Sequence, residues 1–296
     1  MLPARLLLPG LLLAVALPAP TQKPETCTRR WTFPVPFYQS VAWSPDGSRL
    51  AFAAVTTSWE DGYGIFVVGR DGASPARLDT GGLPALFPAF SPDGSRLAFQ
   101  GKRDGNSDVY VMPAAGGPMT RLTDLEASDG YPSWSPDGTR IAFHSDRDGD
   151  YEIWVMDADG SDPVRLTDHP ADDYNPAWSP DGSRIAFDSD RDETEGDEIY
   201  VVAPDGSGLA RVVEAGVFPA WSPDAREILY AEKGLYRVAL DGSGLTRLLD
   251  NAVAGAWSPD GSTIAAAAIE FDAECRDRHS LVLLDPDGPL RRKLRP

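Results

Sequence analysis

The sequence has few of the residues on which catalytic and metal sites most often depend. Its 296 residues include 2 cysteines and 3 histidines. His144, His169 and His279 occupy unlike positions, as surface or strand-end histidines do more often than metal ligands. There is no Gly-x-Ser-x-Gly elbow, phosphate-binding glycine loop or Cys-x-x-Cys, and no pair among the 45 Asp and Glu residues stands out for acid–base work. These absences predict a protein that is not an enzyme and needs no cofactor.

Positive charge is also scarce. The chain has 27 Lys and Arg against 45 Asp and Glu, which gives a formal net charge of −18. Because such an acidic surface repels phosphate backbones, we expect no nucleic-acid partner. Its electrostatic field suits basic proteins, cationic ligands or Ca²⁺.

A long apolar run occurs only at the amino terminus. Arg5 is the only charged residue before an apolar stretch over residues 6–17, and Ala14, Val15 and Ala16 offer small residues to a peptidase. About twelve apolar residues are too few to span a bilayer comfortably. We therefore expect a signal peptide over residues 1–16, extending to about 19. Its cleavage would leave an exported protein, periplasmic or secreted, with no membrane insertion.

What the sequence has in abundance is one repeated phrase. Versions of Trp-Ser-Pro-Asp-Gly-Ser-Arg-Leu-Ala-Phe begin at Trp43, Phe90, Trp134, Trp178, Trp221 and Trp257. The spacings are 47, 44, 44, 43 and 36 residues. Self-similarity at such a period is typical of solenoids, propellers and arrays. Tryptophans that recur at one repeat position are expected to pack between the repeats.

Each repeat predicts four short strands and no helix. In the third repeat the predicted strands are residues 131–135, 140–144, 151–156 and 164–167. The second strand is apolar on both faces, and one four-stranded sheet cannot cover both of its own faces. A radial arrangement lets neighbouring sheets cover each other.

The sequence therefore predicts an all-β protein, a six-bladed β-propeller of four-stranded antiparallel blades. We expect the propeller to be a single domain over residues 28–296. Its blades are expected to start near residues 38, 85, 129, 173, 216 and 252.

The Trp-Ser-Pro-Asp-Gly phrase, with the Asp-Arg-Asp-Gly loop and Asp-Ala-Asp-Gly turn that follow it, resembles the repeat of TolB-type propellers. The resemblance covers the chain from about Trp31 to its end. It implies a propeller that acts in the bacterial envelope on a protein partner, with a peptide entering the central channel. The founding protein of the family also carries a separate α/β domain, and we expect the propeller alone here.

The ring can close in two ways. The last repeat can supply its own fourth strand from residues 289–294. The amino end offers another candidate, because Arg30-Trp31-Thr32 precedes the first repeat much as Arg121-Leu122-Thr123 precedes the third. Both alternatives stay open on the repeat pattern alone.

The two cysteines bear on this choice. An exported protein with two cysteines invites a disulfide, here between Cys27 and Cys275, which would join blade one to blade six. Cys27 reaches the loop of Cys275 most easily if the amino end lies along the loop face. This favours the carboxy-terminal segment as the fourth strand.

The alternation of strands gives the propeller two unlike faces. One carries tight turns, and the other carries longer, variable loops, where binding on a rigid scaffold usually occurs. Trp59 and Tyr63 lie in one polar loop of this face and are candidate contact residues. Tyr131 and Tyr174 are expected near the mouth of the central channel, where they could contact a partner or equally plug the channel.

The carboxylate-rich loops have two interpretations. One is a calcium loop, with the alternating ligands Asp146, Asp148 and Asp150. The other is a set of Asp–Arg pairs that bridge neighbouring blades through Arg103, Arg147 and Arg191. Repetition across blades favours the second. Asp148 and Asp192 remain candidate binding residues.

These observations predict a monomeric, non-enzymatic binding module for an envelope or secreted protein or peptide. The alternative is a carbohydrate-active enzyme similar to polysaccharide lyases, or a propeller that binds a small ligand. An enzyme needs convergent polar groups at the channel mouth, whereas a protein binder should show a broad aromatic patch there.

The proposed disulfide is tested by titrating thiols in the denatured protein without reductant. We expect no reactive thiol, because Cys27 and Cys275 are joined, and a loss of about 2–4 kcal/mol in unfolding free energy on reduction. Two reactive thiols before reduction would exclude the bond.

Overall fold

The computed structural model describes residues 37–55, 63–73, 75–192, 196–271, 277–288 and 290–294. Within them the chain forms 24 strands in six separate sheets of four antiparallel strands. The strands of each sheet follow one another in chain order. No helix that could cross a membrane occurs in these residues.

The first two blades are β1 Phe37–Trp43, β2 Arg49–Val55, β3 Gly64–Gly69, β4 Ala76–Arg77, β5 Ala85–Phe90, β6 Arg96–Arg103, β7 Asn106–Pro113 and β8 Thr120–Arg121. Blades three and four are β9 Asp129–Trp134, β10 Arg140–Ser145, β11 Glu152–Asp157, β12 Val164–Arg165, β13 Asp173–Trp178, β14 Ile185–Ser189, β15 Glu198–Val202 and β16 Ala210–Val213. The last two are β17 Val217–Trp221, β18 Glu227–Ala231, β19 Gly234–Ala239, β20 Thr246–Asp250, β21 Ala252–Trp257, β22 Ile264–Phe271, β23 Asp277–Leu284 and β24 Leu290–Leu294.

The hydrophobic core lies between the sheets. Ala51 and Ile65 of blade one pack with Leu97 and Phe99 of blade two, and all four side chains are fully buried. Each of the other core clusters likewise joins two neighbouring blades. The prediction of a six-bladed, all-β propeller is confirmed.

Blade six takes its fourth strand from the carboxy terminus. β24 pairs with β23, with Leu294 opposite Leu281. Both leucines are buried in the cluster that also contains Trp43 and Leu50 of blade one. Of the two alternatives for closing the ring, the described residues show the carboxy-terminal one. The signal peptide and both cysteines lie outside the described residues.

The turn between the first two strands is built in the same way in every blade. In blade three, the Ser135 hydroxyl donates to Asp137 Oδ1 at 2.5 Å and accepts from the Arg140 N–H at 2.9 Å. Asp137 also accepts from the Thr139 N–H. These hydrogen bonds lower the pKa of Asp137 to about 2. Gly138 takes the left-handed conformation at φ 71° that ends the turn.

The repeated tryptophans join neighbouring blades. Trp134 Nε1 donates to the Ala89 carbonyl of the preceding blade, and the Arg96 guanidinium lies over the Trp134 ring at 4.4 Å. Arg140 lies over Trp178 in the same way, at 4.9 Å. The tryptophans are packing residues, as their repetition predicts.

The junction between blades six and one uses a different arginine. Thr263 stands at the repeat position where Arg96 and Arg140 stand in their blades. Arg70, from the turn after β3, reaches across instead and donates to Thr263 Oγ1 at 2.7 Å and Ser262 Oγ at 3.1 Å. Its guanidinium lies 5.3 Å from the centre of the Trp43 ring.

Replacing Arg70 should weaken the closure of the ring. We expect Arg70→Ala to lower the free energy of unfolding by about 1–2 kcal/mol, from lost hydrogen bonds and ring contact. The exposed ion pair with Asp260 should add little. Denaturant unfolding measures the change, with the exposed Arg226→Ala as the matched control. Equal stabilities for the two variants would contradict this role.

Candidate functional site

The longer loops and the connections between blades occupy one face of the ring, called here the long-loop face. Backbone hydrogen bonds join several connections to a loop of the preceding blade: the Asp173 N–H donates to the Tyr151 carbonyl at 2.7 Å, and the Gly216 N–H to the Asp197 carbonyl at 2.7 Å. The inner strand of each blade starts at this face. Its first residues therefore surround the mouth of the central channel.

Each inner strand has an irregular register near this mouth. In four blades one residue there takes a positive φ of 53° to 58°: Phe87, Tyr131, Asn175 and Phe218. Positive φ is strained for such bulky side chains, and bulges of this kind re-aim a side chain beside functional sites. Blades one and six have the small residues Ser40 and Ala254 at this repeat position.

Three of these side chains meet as an aromatic plug, defined as Phe87, Tyr131 and Phe218. The ring centres of Phe87 and Tyr131 lie 4.2 Å apart, and Tyr131 stacks on Phe218 at 5.7 Å. Tyr131 belongs to blade three and Phe218 to blade five, which are not adjacent. Their contact therefore crosses the central channel, and all three rings are half-buried.

A second aromatic group, the tyrosine cluster, lies beside the plug. His144 contacts Tyr151 and Tyr174 edge-on, at ring distances of 5.4 and 5.5 Å. Tyr174 donates from its hydroxyl to Asp172 Oδ2 at 2.9 Å. Burial, followed by this carboxylate, raises the pKa of Tyr174. A 6.2 Å contact between Tyr131 and His144 makes the plug and the cluster one continuous aromatic surface.

Two polar side chains support this surface from the second strands. His144 Nδ1 accepts from the Asn175 N–H at 3.3 Å, and Asp188 Oδ1 accepts from the Phe218 N–H at 3.1 Å. Each acceptor satisfies a bulged N–H of the next blade. Burial lowers the pKa of His144 to about 4, so it is neutral at pH 7, and burial raises the pKa of Asp188.

Sequence reasoning did not single out Asp188 or Gln100, and it treated His144 as scattered. A signal was available at one repeat position of the second strand. Its occupants, in blade order, are Ala53, Gln100, His144, Asp188, Ala231 and Ala267. This position is polar in three successive blades and alanine in the other three, so it departs from the repeat at the level of the inner-strand bulges.

The structure brings some of the predicted binding residues together and separates others. Tyr131 and Tyr174 both lie at the channel mouth, and Tyr131 belongs to the plug. Tyr63 lies on the long-loop face of blade one, where burial raises its pKa to about 12. Asp148 and Asp192 instead pair with arginines of the outermost strands, Arg165 at 3.4 Å and Arg211 at 2.5 Å. Trp59 lies outside the described residues.

The buried aspartate–arginine pairs differ from the expected bridges between blades. Arg147 donates to Asp129 at 3.0 Å, and Arg191 to Asp173 at 2.7 Å, each within its own blade. Each arginine folds back over the rings of its own sheet, as Arg147 does over Trp154 at 4.6 Å. Arg103 is exposed. The expectation that these arginines bridge neighbouring blades is therefore wrong.

The proposed calcium ligands are used in other ways. Asp146 accepts from the Ser128 N–H at 2.7 Å, and Asp148 pairs with Arg165. In the part of the chain that the structure describes, no group of three His, Cys, Asp or Glu side chains could hold a metal ion. The calcium interpretation gains no support from this geometry.

Comparison with known proteins places this architecture in a family. The sequence model of the TolB beta propeller domain matches residues 84–162 and 130–295. No curated protein sequence matches the chain.

Solved structures share the fold. A structure assigned as TolB from Agrobacterium tumefaciens is 27% identical, with a TM-score of 0.66, over 76% of this chain and 87% of that one. TolB from Acinetobacter baumannii is 22% identical, with a TM-score of 0.68, over 87% of this chain and 62% of that one. This chain therefore spans less than two thirds of that protein. An oligogalacturonate lyase from Vibrio parahaemolyticus is 17% identical, with a TM-score of 0.59, over 88% and 77%.

The buried histidine predicts a pH dependence of stability. Because the pKa of His144 falls from 6.5 to about 4 on folding, the unfolded chain takes up a proton in that window before the native state does. Stability is therefore fully present above pH 6.5 and decreases as the pH falls towards 4. We expect His144→Gln, which keeps an acceptor for the Asn175 N–H, to make this decrease shallower by about 1–3 kcal/mol.

Thermal unfolding between pH 7 and pH 4 measures the effect. His169→Gln, on the loop after β12, is the control and should keep the slope of the unmodified protein. The raised pKa of Asp188 acts in the opposite sense in all three proteins and cancels in the comparison. Identical slopes for the two variants would refute the prediction.

Proposed function

This chain belongs to the TolB beta propeller domain family, and we propose that it is an extracytoplasmic, non-enzymatic binding module. Its partner is an envelope or secreted protein that presents an extended segment to the channel mouth on the long-loop face. The observation that carries this proposal is the continuous aromatic surface formed by the aromatic plug and the tyrosine cluster.

Several properties of this surface suit a protein partner. Tyrosine and phenylalanine are enriched at the cores of protein interfaces and lose little conformational entropy when they bind. Tyr131, Tyr151 and Tyr174 are half-buried, so each offers part of its ring to a partner while its neighbours hold it in place. The strained backbone at Tyr131 and Phe218 positions the plug before binding, which lowers the cost of association.

The same geometry gives little support to the enzymatic alternative. A general base must reach a substrate proton with a free acceptor atom. His144 Nδ1 already accepts from a backbone N–H, and burial holds its pKa near 4. Among the described residues the hydrogen-bond partners of Asp188 are the Phe218 N–H and the Asn175 amide, so no second acid or base is paired with it for acid–base work. The likeness to the Vibrio lyase, at 17% identity, concerns the fold.

An extracytoplasmic location is supported by the family and by the apolar amino-terminal run. The family match relates the chain to TolB propellers, and residues 6–17 have the character of a signal peptide. Export would bring the acidic propeller together with envelope or secreted proteins. A basic or extended segment of such a protein suits its net charge of −18.

The proposal is tested by recovering partners from an envelope extract. We expect the unmodified propeller to retain a specific protein that the double variant Tyr131→Ala and Tyr174→Ala loses, because truncation removes the central rings of the surface. Loss of such anchors commonly costs 2 kcal/mol or more, about a thirtyfold weaker complex. Mass spectrometry of the retained proteins is the measurement.

A matched control removes exposed apolar surface elsewhere. Val164 and Leu245, which are 64% and 61% exposed, lie at or beside outer strands, and Val164→Ala with Leu245→Ala should retain the partner. Thermal unfolding of both double variants checks that the fold survives. If the tyrosine variant recovers the same proteins as the unmodified propeller, the channel mouth is not the contact surface.

A further inference from the structure

Asp188 differs from four other buried acids of the propeller because no cationic side chain pairs with it among the described residues. Four buried carboxylates pair with an arginine at 2.7–3.3 Å: Asp108, Asp129, Glu152 and Asp173. Asp188 is 1% exposed, yet its carboxylate accepts only from the neutral Phe218 N–H at 3.1 Å and Asn175 Nδ2 at 2.9 Å. No described Lys, Arg or His nitrogen lies within the 4.0 Å of an ion pair.

A carboxylate in this position is costly to keep charged. Removing an unpaired charge from water is unfavourable by several kcal/mol, so burial raises the pKa of Asp188. Its proximity also contributes to the raised pKa of Tyr131 in the plug. A cation placed beside this carboxylate would favour its charged form. The attraction between the two charges would be stronger in the low-dielectric interior than in water.

The channel wall at the same height holds two more acceptors without donors. Ser40 Oγ and Gln100 Oε1 are buried atoms with no hydrogen-bond partner among the described residues, although buried polar atoms normally have one. Ser40, which is 7% exposed, stands at the inner-strand repeat position of Tyr131 and Phe218. Gln100 stands at the second-strand position of Asp188. The repeat therefore places Ser40, Gln100 and Asp188 at one level of the ring, that of the inner-strand bulges.

The channel section at this level also has rings suited to a cation. Tyr131 and Phe218 stack at 5.7 Å with an interplanar angle of 9°, and the N–H of Phe218 binds Asp188. A ring face attracts an ammonium or guanidinium group, and the attraction is stronger where water is excluded. The section thus combines a carboxylate, unsatisfied acceptors and aromatic faces.

We propose that this section of the channel binds a cationic side chain, a lysine or arginine carried by the partner's segment. A lysine ammonium offers three donors and an arginine guanidinium five, and neither is an acceptor, so either supplies what the wall lacks. This inference rests on the proposed function and names the kind of partner side chain that the channel mouth binds. The net charge of −18 draws such a group towards the ring.

The test uses two short synthetic peptides with blocked ends. Both have the sequence Gly-Ser-Gly-Lys-Gly-Ser-Gly, and in one of them the lysine is acetylated. Binding to the propeller is followed by NMR titration. We expect the lysine peptide to bind at least tenfold more tightly than the acetylated peptide, because acetylation removes the charge and two of the donors.

Two variants of equal charge locate the site. Asp188→Asn keeps an acceptor for the Phe218 N–H and removes the carboxylate. It should weaken the binding of the lysine peptide at least tenfold. Asp205→Asn removes one charge from the exposed tight turn after β15, keeps an acceptor for the Ser207 N–H, and should change the dissociation constant by less than about twofold. Circular dichroism checks the fold of each variant.

Three results of the peptide experiment would overturn the inference. These are equal binding of the two peptides, equal effects of Asp188→Asn and Asp205→Asn, or no saturable binding of the lysine peptide up to about 10 mM. If Asp188→Asn does not fold, the peptide comparison on the unmodified protein still decides. If the tyrosine double variant loses the envelope partner while Asp188→Asn retains it, the inference fails and the proposed function stands.

Discussion

The architecture depends on the mutual covering of sheets whose two faces are both apolar. The second strand of each blade is buried on both sides, as Phe99 and Ala98 show in blade two by packing towards blades one and three, and no blade can achieve this alone. Every core cluster is therefore shared between neighbours, and the last junction buries the two blade faces that an open ring would leave exposed. Arg70 and β24 serve that junction, and the repeated tryptophan and arginine contacts serve several of the others.

Rigid repetition leaves the centre of the ring as the place where the blades can differ. The Ser-Pro-Asp-Gly turns and the tryptophans are nearly invariant from blade to blade because each has the same packing task. At one repeat position of the second strand, blades five, six and one have alanine, whereas blades two to four have Gln100, His144 and Asp188. The aromatic plug adds bulk from blades two, three and five, so the channel is chemically asymmetric.

The repeat was sufficient to predict the fold, and the structure confirms the six blades. The third blade illustrates the accuracy, since its strands at 129–134 and 140–145 lie within two residues of the predicted bounds. The site was predicted less completely. Tyr131 and Tyr174 do lie at the mouth, but Asp148 and Asp192 pair with arginines on the rim, and the Asp–Arg pairs lie within blades. The partners of these residues depend on the direction in which each side chain points, and the spacing of residues in the sequence does not predict that direction.

The sequence alone determined the blade number, the tight turns and the surfaces that must be buried, because these follow from a local pattern that recurs with each repeat. Only the tertiary structure decided which side chains meet at the axis. Tyr131 and Phe218 belong to blades that are not adjacent, and they meet only because the blades curve around a common axis. Contacts between distant segments depend on the curvature of the ring and on bulges that turn individual residues. The repeated pattern of strands and turns predicts neither of them.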